Sequence, residues 1–313
     1  MSMQFPISQK MKNFGKEVRK HKGNLLLFLI PFIFLIVFKY VPMYGIVLAF
    51  KDFNLKLGIL KSPFSDPIFK HFIDFFNGRM FFQLIRNTLV ISSLKIFIAF
   101  PVPILFALLL NEVRNVFYRK FAQTVSYLPH FISWVVLSAV FIDIFSTEGP
   151  VNAINKLIGN PVIVYMSKSE YFWFILTITH IWKTFGWSSI IYFAALAGVD
   201  ATLYEAAVID GAGRFRQVVS ITIPSIMPTI TILMILSMGD ILNAGFDQIF
   251  NMMNQSVADV GNILDTYVYE QGLKLRNYSF ATAVGLFKSA IGLFMITVVN
   301  KTASLIDKES TLW

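Results

Sequence analysis

Cysteine is absent from the 313 residues, which excludes disulfides and thiolate metal sites. The four histidines, His21, His71, His130 and His180, show no ligand spacing, so no metal site is expected. There is no Gly-x-x-x-x-Gly-Lys-Ser/Thr loop, so this chain alone is not expected to hydrolyse ATP. No Ser/His/Asp or Cys/His arrangement stands out, which leaves an enzyme reading, such as a membrane-bound glycosyltransferase, without a catalytic constellation. Short-period repeats, low-complexity stretches and interdomain linkers are also missing. Charge is scarce: Asp, Glu, Lys and Arg make up 14% of the chain, against roughly 25% in an average globular protein. A soluble fold of this size could not cover its surface with so few charges, whereas a lipid-facing surface does not need them.

What the chain has in quantity is apolar: 56% of residues are hydrophobic, 33 of them Phe, and mean hydropathy is +0.64. A spanning helix needs about 20 apolar residues. Six stretches qualify: 24–44, 82–110, 124–145, 171–197, 228–250 and 280–304. The net charge of +9 does not point to nucleic acid, because Lys and Arg are spread over tails and loops and build no basic face. Lys10, Lys12, Lys16, Arg19, Lys20 and Lys22 precede the first apolar run. That run is too long for a signal-peptide h-region and no small-residue cleavage site follows it, so it reads as an uncleaved first spanning helix. Thirteen Lys and Arg fall on one side of the six spans and nine, over longer loops, on the other. The bias places both termini in the cytoplasm. The expected organisation is a basic N-terminal tail (1–23), a first transmembrane helix with its external loop (24–81), a permease-like membrane core (82–304) and a short cytoplasmic tail (305–313).

The cytoplasmic loop 199–227 is longer than a simple connection between neighbouring helices. Short helical pieces are expected in it, broken at Gly211 and Gly213. Glu205, Ala206 and Ala207 are read near the start of the first piece, where an acid suits the positive helix end. Pro224 and Pro228 are read as re-entering the membrane near a helix start. The result is a short, rigid knob with a small-residue face, able to insert into a groove on a soluble partner. The loop's physics fits an amphipathic helix resting on lipid headgroups equally well.

Glu205-Ala206-Ala207, Gly211, Ile221, Pro224 and Pro228 resemble the coupling motif of type I ABC importer permeases. Asp210-Gly211-Ala212 fits the sugar-importing branch of that family. The resemblance extends over most of the chain. The strings 40–52 (YVPMYGIVLAFKD), 126–134 (SYLPHFISW) and 264–269 (LDTYVY) look like the lipo-oligosaccharide and polysaccharide permease group. This likeness implies an all-α integral membrane protein of about six transmembrane helices with a cytoplasmic coupling helix. Glu205, Ala206, Ala207, Asp210, Gly211, Ala212, Gly213 and Arg214 would then meet the ATPase. It further implies a second permease subunit in a heterodimer, two ABC ATPase subunits carrying ATP and Mg, and an extracytoplasmic solute-binding protein, all in the bacterial cytoplasmic membrane. No cofactor is expected on this chain.

Ionisable groups at membrane depth usually face protein or a water-filled cavity. Asp240, Asn243, Asp247, Asn251 and Asn254 recur at spacings of three, four, four and three in the fifth span, with Gln248 beside them, which places them on one face of a helix. They are candidates for a sugar path; contact with a second permease or with neighbouring helices is the alternative. Trp134, Trp187 and Tyr192 could stack on sugar faces, although Trp and Tyr also anchor helices at the bilayer interface. Trp173 and Trp182 are weighed in the same way. Lys39, Arg86, Lys95, Lys183 and Lys288 are read mostly as snorkelling to the headgroups. Pro101 and Pro103 should kink the second span. The functional expectation is an ATP-driven oligosaccharide or polysaccharide permease. The alternative is an ion-gradient-driven secondary transporter, which would need no ATPase-docking loop.

Overall fold

The computed structural model describes residues 20–306. Lys10, Lys12, Lys16, Arg19 and Lys308 of the basic tails lie outside those residues. The chain forms two units, Met1–Lys70 and His71–Trp313. Among the described residues there are helices and loops and no named strand, in keeping with a bilayer solvent that obliges each segment to satisfy its own backbone. Four helices are long and apolar enough to cross a membrane, and two bent pairs bring the number to six if each pair is one span.

In the first unit, helix α1 (Lys22–Phe50) has no buried residue in its most apolar window, which is left open to lipid or another protein, while Ala49 near its end is buried. The loop after it is folded on itself. The Lys51 ammonium donates to the carbonyls of Ile59 and Leu60, each at 2.9 Å, and the Ser62 hydroxyl to that of Gly58 at 2.7 Å.

The long helices of the second unit start with α2 (Phe81–Asn111) and α3 (Val116–Phe131), which turns by 102° into α4 (Trp134–Ile144). The long α5 (Ser169–Ala197) bends by 70° into the short α6 (Ala201–Ile209). Then come α7 (Arg214–Gly239), α8 (Phe246–Met252), α9 (Leu264–Tyr269) and α10 (Tyr278–Ile306). Three apolar clusters hold these together. Ile91, Leu137, Phe172, Leu176 and Ile249 centre one, Phe75, Leu84, Leu264 and Val284 a second, and Leu108, Tyr192 and Ile226 a third.

Two sequence expectations change here. Pro101 lies inside α2, which continues from Phe81 to Asn111. A π turn over Lys95–Ala99 directly precedes it, with Phe100 N–H donating five residues back to the Lys95 carbonyl at 3.0 Å. A widened turn of this kind absorbs the carbonyl that a proline nitrogen cannot serve. The same device, Val218–Thr222 before Pro224, lets α7 run unbroken from Arg214; Pro224 stands in the first turn of its regular α-helical stretch, Ile223–Gly239, and Pro228 lies further inside it. The fifth span is shifted accordingly: it is 214–239, and the expected 228–250 is broken by a turn after Gly239.

The second correction concerns cations. Snorkelling alone does not describe four of the five. Arg86 donates to the Asp259 carbonyl at 2.8 Å, Lys288 pairs with Asp265 at 2.5 Å, and Lys95 and Lys183 bond to backbone carbonyls inside the unit. Lys39 and Arg86 are exposed as snorkelling requires, and Arg86 is tied to backbone as well.

Helices α3 and α5 approach so closely at Gly186 that an added Cβ would lie 2.1 Å from the Ser126 carbonyl oxygen. That neighbour is backbone and cannot swing aside. Gly186→Ala should therefore lower stability by about 1–3 kcal/mol through overpacking, measurable as a lower midpoint for thermal unfolding of the detergent-solubilised protein.

Candidate functional site

The segment joining α5 to α7 is built from local rules. Asp200 caps α6, accepting the Thr202 N–H at 2.9 Å. That backbone bond, and secondarily the Thr202 side chain, hold the Asp200 carboxyl below its usual pKa, so it stays ionised. The helix then closes with a Schellman motif: Ala212 N–H donates to the Ala207 carbonyl at 2.8 Å and Gly211 N–H to that of Val208 at 3.1 Å. The motif needs a left-handed residue, and Gly211 has φ of 76°. Gln217 Nε2 secures the Ala212 carbonyl at 2.8 Å. The turn is thus rigid and bears exposed apolar side chains, Val208, Ile209 and Phe215.

One expectation is corrected. Glu205 is mid-helix, and no acid occupies the first turn of α6; the acid serving the positive helix end is Asp200. Ala206, Asp210 and Gly213 are exposed with Glu205, and Ala207 and Ala212 are partly covered. Arg214 bonds the Glu112 carboxylate at 2.6 Å, linking the start of α7 to the end of α2. The Tyr204 hydroxyl meets the buried Thr222 hydroxyl at 2.9 Å, linking α6 to the π turn of α7.

Helices α2, α5 and α7 enclose a cavity of about 930 Å³. Its lining includes Ser92, Lys95, His180, Trp187, Tyr192, Ser237, Asp240 and Asn243. Trp187 stacks on His130 with centroids 4.5 Å apart and planes 6° from parallel, which fixes the indole in the wall. Of the sequence candidates, Asp240, Asn243, Trp187 and Tyr192 come together here. Asp247, Asn251 and Trp134 are not on this wall. The single-face stripe does not form, because residues 240–245 are a turn between α7 and α8 and the helical register is lost across it. Asn251 donates to the Asp247 carbonyl at 2.7 Å and Asn254 to that of Met166, both structural uses. Trp173 donates to the Val260 carbonyl at 2.9 Å, and Trp182 packs edge-on against Phe141.

Gln248 is a tie, not a lining residue. It is 1% exposed; its Nε2 donates to the Leu176 carbonyl at 2.7 Å and contacts the Thr179 hydroxyl at 2.9 Å. Its oxygen accepts from the Lys95 ammonium at 2.8 Å, and Lys95 also donates to the Ala244 carbonyl at 2.6 Å. A Cβ on Gly245 would stand 2.7 Å from that ammonium, so glycine makes room for it. Lys183 plays a parallel part at the bend between α3 and α4, donating to the carbonyls of His130, at 2.9 Å, and Ile132, with its charge 5.5 Å from the Trp134 ring centre. Sequence reading missed Ser92, Lys95 and His180 as cavity residues. The available signal was position: Lys95 sits near the middle of a 31-residue helix about 46 Å long, too far from either end for its side chain to reach water.

Residues 99–308 match the family described as binding-protein-dependent transport system inner membrane component. The chain is 44% identical over 307 residues to the polygalacturonan/rhamnogalacturonan transport system permease protein YteP of Bacillus subtilis, covering 95% of this chain and 94% of that protein. Its fold is similar to a chain of a bacterial alginate ABC transporter solved with an alginate pentasaccharide-bound periplasmic protein. That likeness has TM-score 0.85 and 34% identity, covering 94% of this chain and 98% of that one. A second structure, of a bacterial ABC transporter involved in import of the acidic polysaccharide alginate, matches at TM-score 0.85 and 33% identity, covering 94% and 99%.

Replacing Gln248 with Leu takes a buried donor from the Leu176 carbonyl and an acceptor from the Lys95 ammonium. Gln248→Leu is expected to cost about 2–4 kcal/mol, read as a lower unfolding midpoint in detergent, with a larger effect than Asn251→Leu, whose amide serves only its own helix turn.

Proposed function

The chain belongs to the binding-protein-dependent transport system inner membrane components, and we propose that it is the permease of an ATP-driven importer that carries an oligosaccharide or polysaccharide across the bacterial cytoplasmic membrane. The observation that carries the reading is the continuity between the exposed turn and the cavity. The rigid segment 200–213 is flanked by α5, which presents His180, Trp187 and Tyr192 to the cavity, and by α7, which presents Ser237 and ends at Asp240. A push on the turn therefore moves two cavity walls directly, without an intervening flexible loop.

In this mechanism ATP and Mg are held by two separate ATPase subunits, whose closure acts on Glu205, Ala206, Ala207 and the turn Asp210–Ala212–Arg214. Val208, Ile209 and Phe215 supply apolar surface for that contact, consistent with the enrichment of large apolar groups at interface cores. Arg214–Glu112 and Tyr204–Thr222 spread the load to α2 and to the π turn of α7. A second permease in a heterodimer would complete the path, and an extracytoplasmic binding protein would deliver the sugar. Both termini then lie in the cytoplasm, in line with the Lys and Arg bias. Support for a polysaccharide cargo comes from the names of YteP and the alginate transporter. The ion-gradient alternative has no comparable support, since the family is defined by dependence on a binding protein.

Affinity purification of the tagged chain from its native host tests this. An ABC ATPase and a second permease should co-purify, and uptake of labelled oligosaccharide should stop on ATP depletion while the ion gradient is held. Purification without an ATPase, or uptake that survives depletion, refutes it. Gly211→Val forces a β-branched residue to positive φ, at about 1–2 kcal/mol. Because Gly211 lies outside the cavity lining, the expected outcome is lost uptake with the complex assembled and sugar binding retained.

A further inference from the structure

We propose that Lys95 is the specificity-determining group of the cavity, binding a carboxylate on the sugar that passes through it; this rests on the sugar-permease reading. The cavity of about 930 Å³ lies within the range of small-molecule sites, about 300–1,000 Å³. Most of its lining is apolar or neutral, and a neutral sugar would ask for nothing more than hydroxyl and amide partners. A lysine there is costly, because an ammonium at membrane depth needs compensation.

The compensation is incomplete. Lys95 is partly exposed, and the cavity is where its surface opens. Two of its three donors are taken by neutral oxygens, those of Ala244 and Gln248. Among the described residues no carboxylate pairs with it, Asp240 on the same cavity wall included. One donor therefore remains for a ligand. One helical turn earlier on α2, the Ser92 hydroxyl is buried in the same wall and has no hydrogen-bond partner. The remaining donor of the Lys95 ammonium is free to meet a carboxylate oxygen. Trp187 and Tyr192 on α5 supply aromatic surface for the ring that bears it. The chemistry selects a uronate-containing oligosaccharide over a neutral one. YteP and the alginate transporter are named for polymers of that kind.

The test uses the purified permease–ATPase complex without the binding protein, so that selection by that protein does not enter. Trigalacturonate and its fully methyl-esterified form, which replaces each carboxylate charge with a neutral methyl ester, are titrated while tryptophan fluorescence is followed. Wild type should bind the acid form about tenfold or more tightly than the ester. Lys95→Gln, which keeps amide donors for Ala244, should lose that preference, and Lys95→Arg should retain it. An unchanged preference in Lys95→Gln, or none in wild type, overturns the proposal and leaves the sugar permease intact. Equal loss of both sugars in Lys95→Gln assigns Lys95 to holding the turn 240–245 and also overturns it. Binding of neither sugar by wild type removes the sugar path itself.

Discussion

A helix interrupted inside a bilayer leaves carbonyl oxygens with no water to serve them, and the second unit is organised around meeting that need. At the bend between α3 and α4 the carbonyls of His130 and Ile132 are taken by Lys183. At the turn between α7 and α8 the Ala244 carbonyl is taken by Lys95, and Gln248 ties the same turn to α5. Each interruption is thus closed by a long donor from a different helix. This resolves a cost that would be several kcal/mol for each unsatisfied group. It also makes the irregular backbone as firmly held as the helices around it.

The three prolines that follow π turns obey the same constraint by another route. Ile36–Tyr40 precedes Pro42, Lys95–Ala99 precedes Pro101, and Val218–Thr222 precedes Pro224. Each widened turn accommodates a missing N–H within its own helix, so no outside donor is required. In α2 the π turn also holds Lys95, and in α7 it holds Thr222, the partner of Tyr204. The two local distortions therefore sit where α2 meets the cavity and where α7 meets α6. A transport cycle needs such places: stiff rods to carry displacement and defined points at which their packing can shift.

How far the site was legible follows from the range of each interaction. Gly211, Asp210 and the alanines of α6 were readable because a Schellman turn is a matter of neighbouring residues. Trp187, Tyr192, Asp240 and Asn243 were picked out as polar or aromatic groups in apolar runs, and the fold gathers them. Asp247, Asn251 and Gln248 were picked out by the same periodicity and were separated from the first two by the turn at 240–245. Periodicity assumes a continuous helix, and nothing between Gly239 and Phe246 announces the break except Gly245 with its φ of 94°. Lys95 and Lys183 were misread because snorkelling depends on depth, and depth depends on where each helix ends.

The sequence by itself determined the solvent and the class of fold, because scarcity of charge and length of apolar runs are bulk properties that no folding can alter. It also determined the exposed turn between α5 and α7, whose capping residues act over a few positions. Tertiary structure alone decided which polar groups face the cavity and which serve as internal ties. That choice rests on partners distant in the chain, such as Lys95 with Ala244 and Gln248 with Leu176, and on π turns that reset the helical register between them.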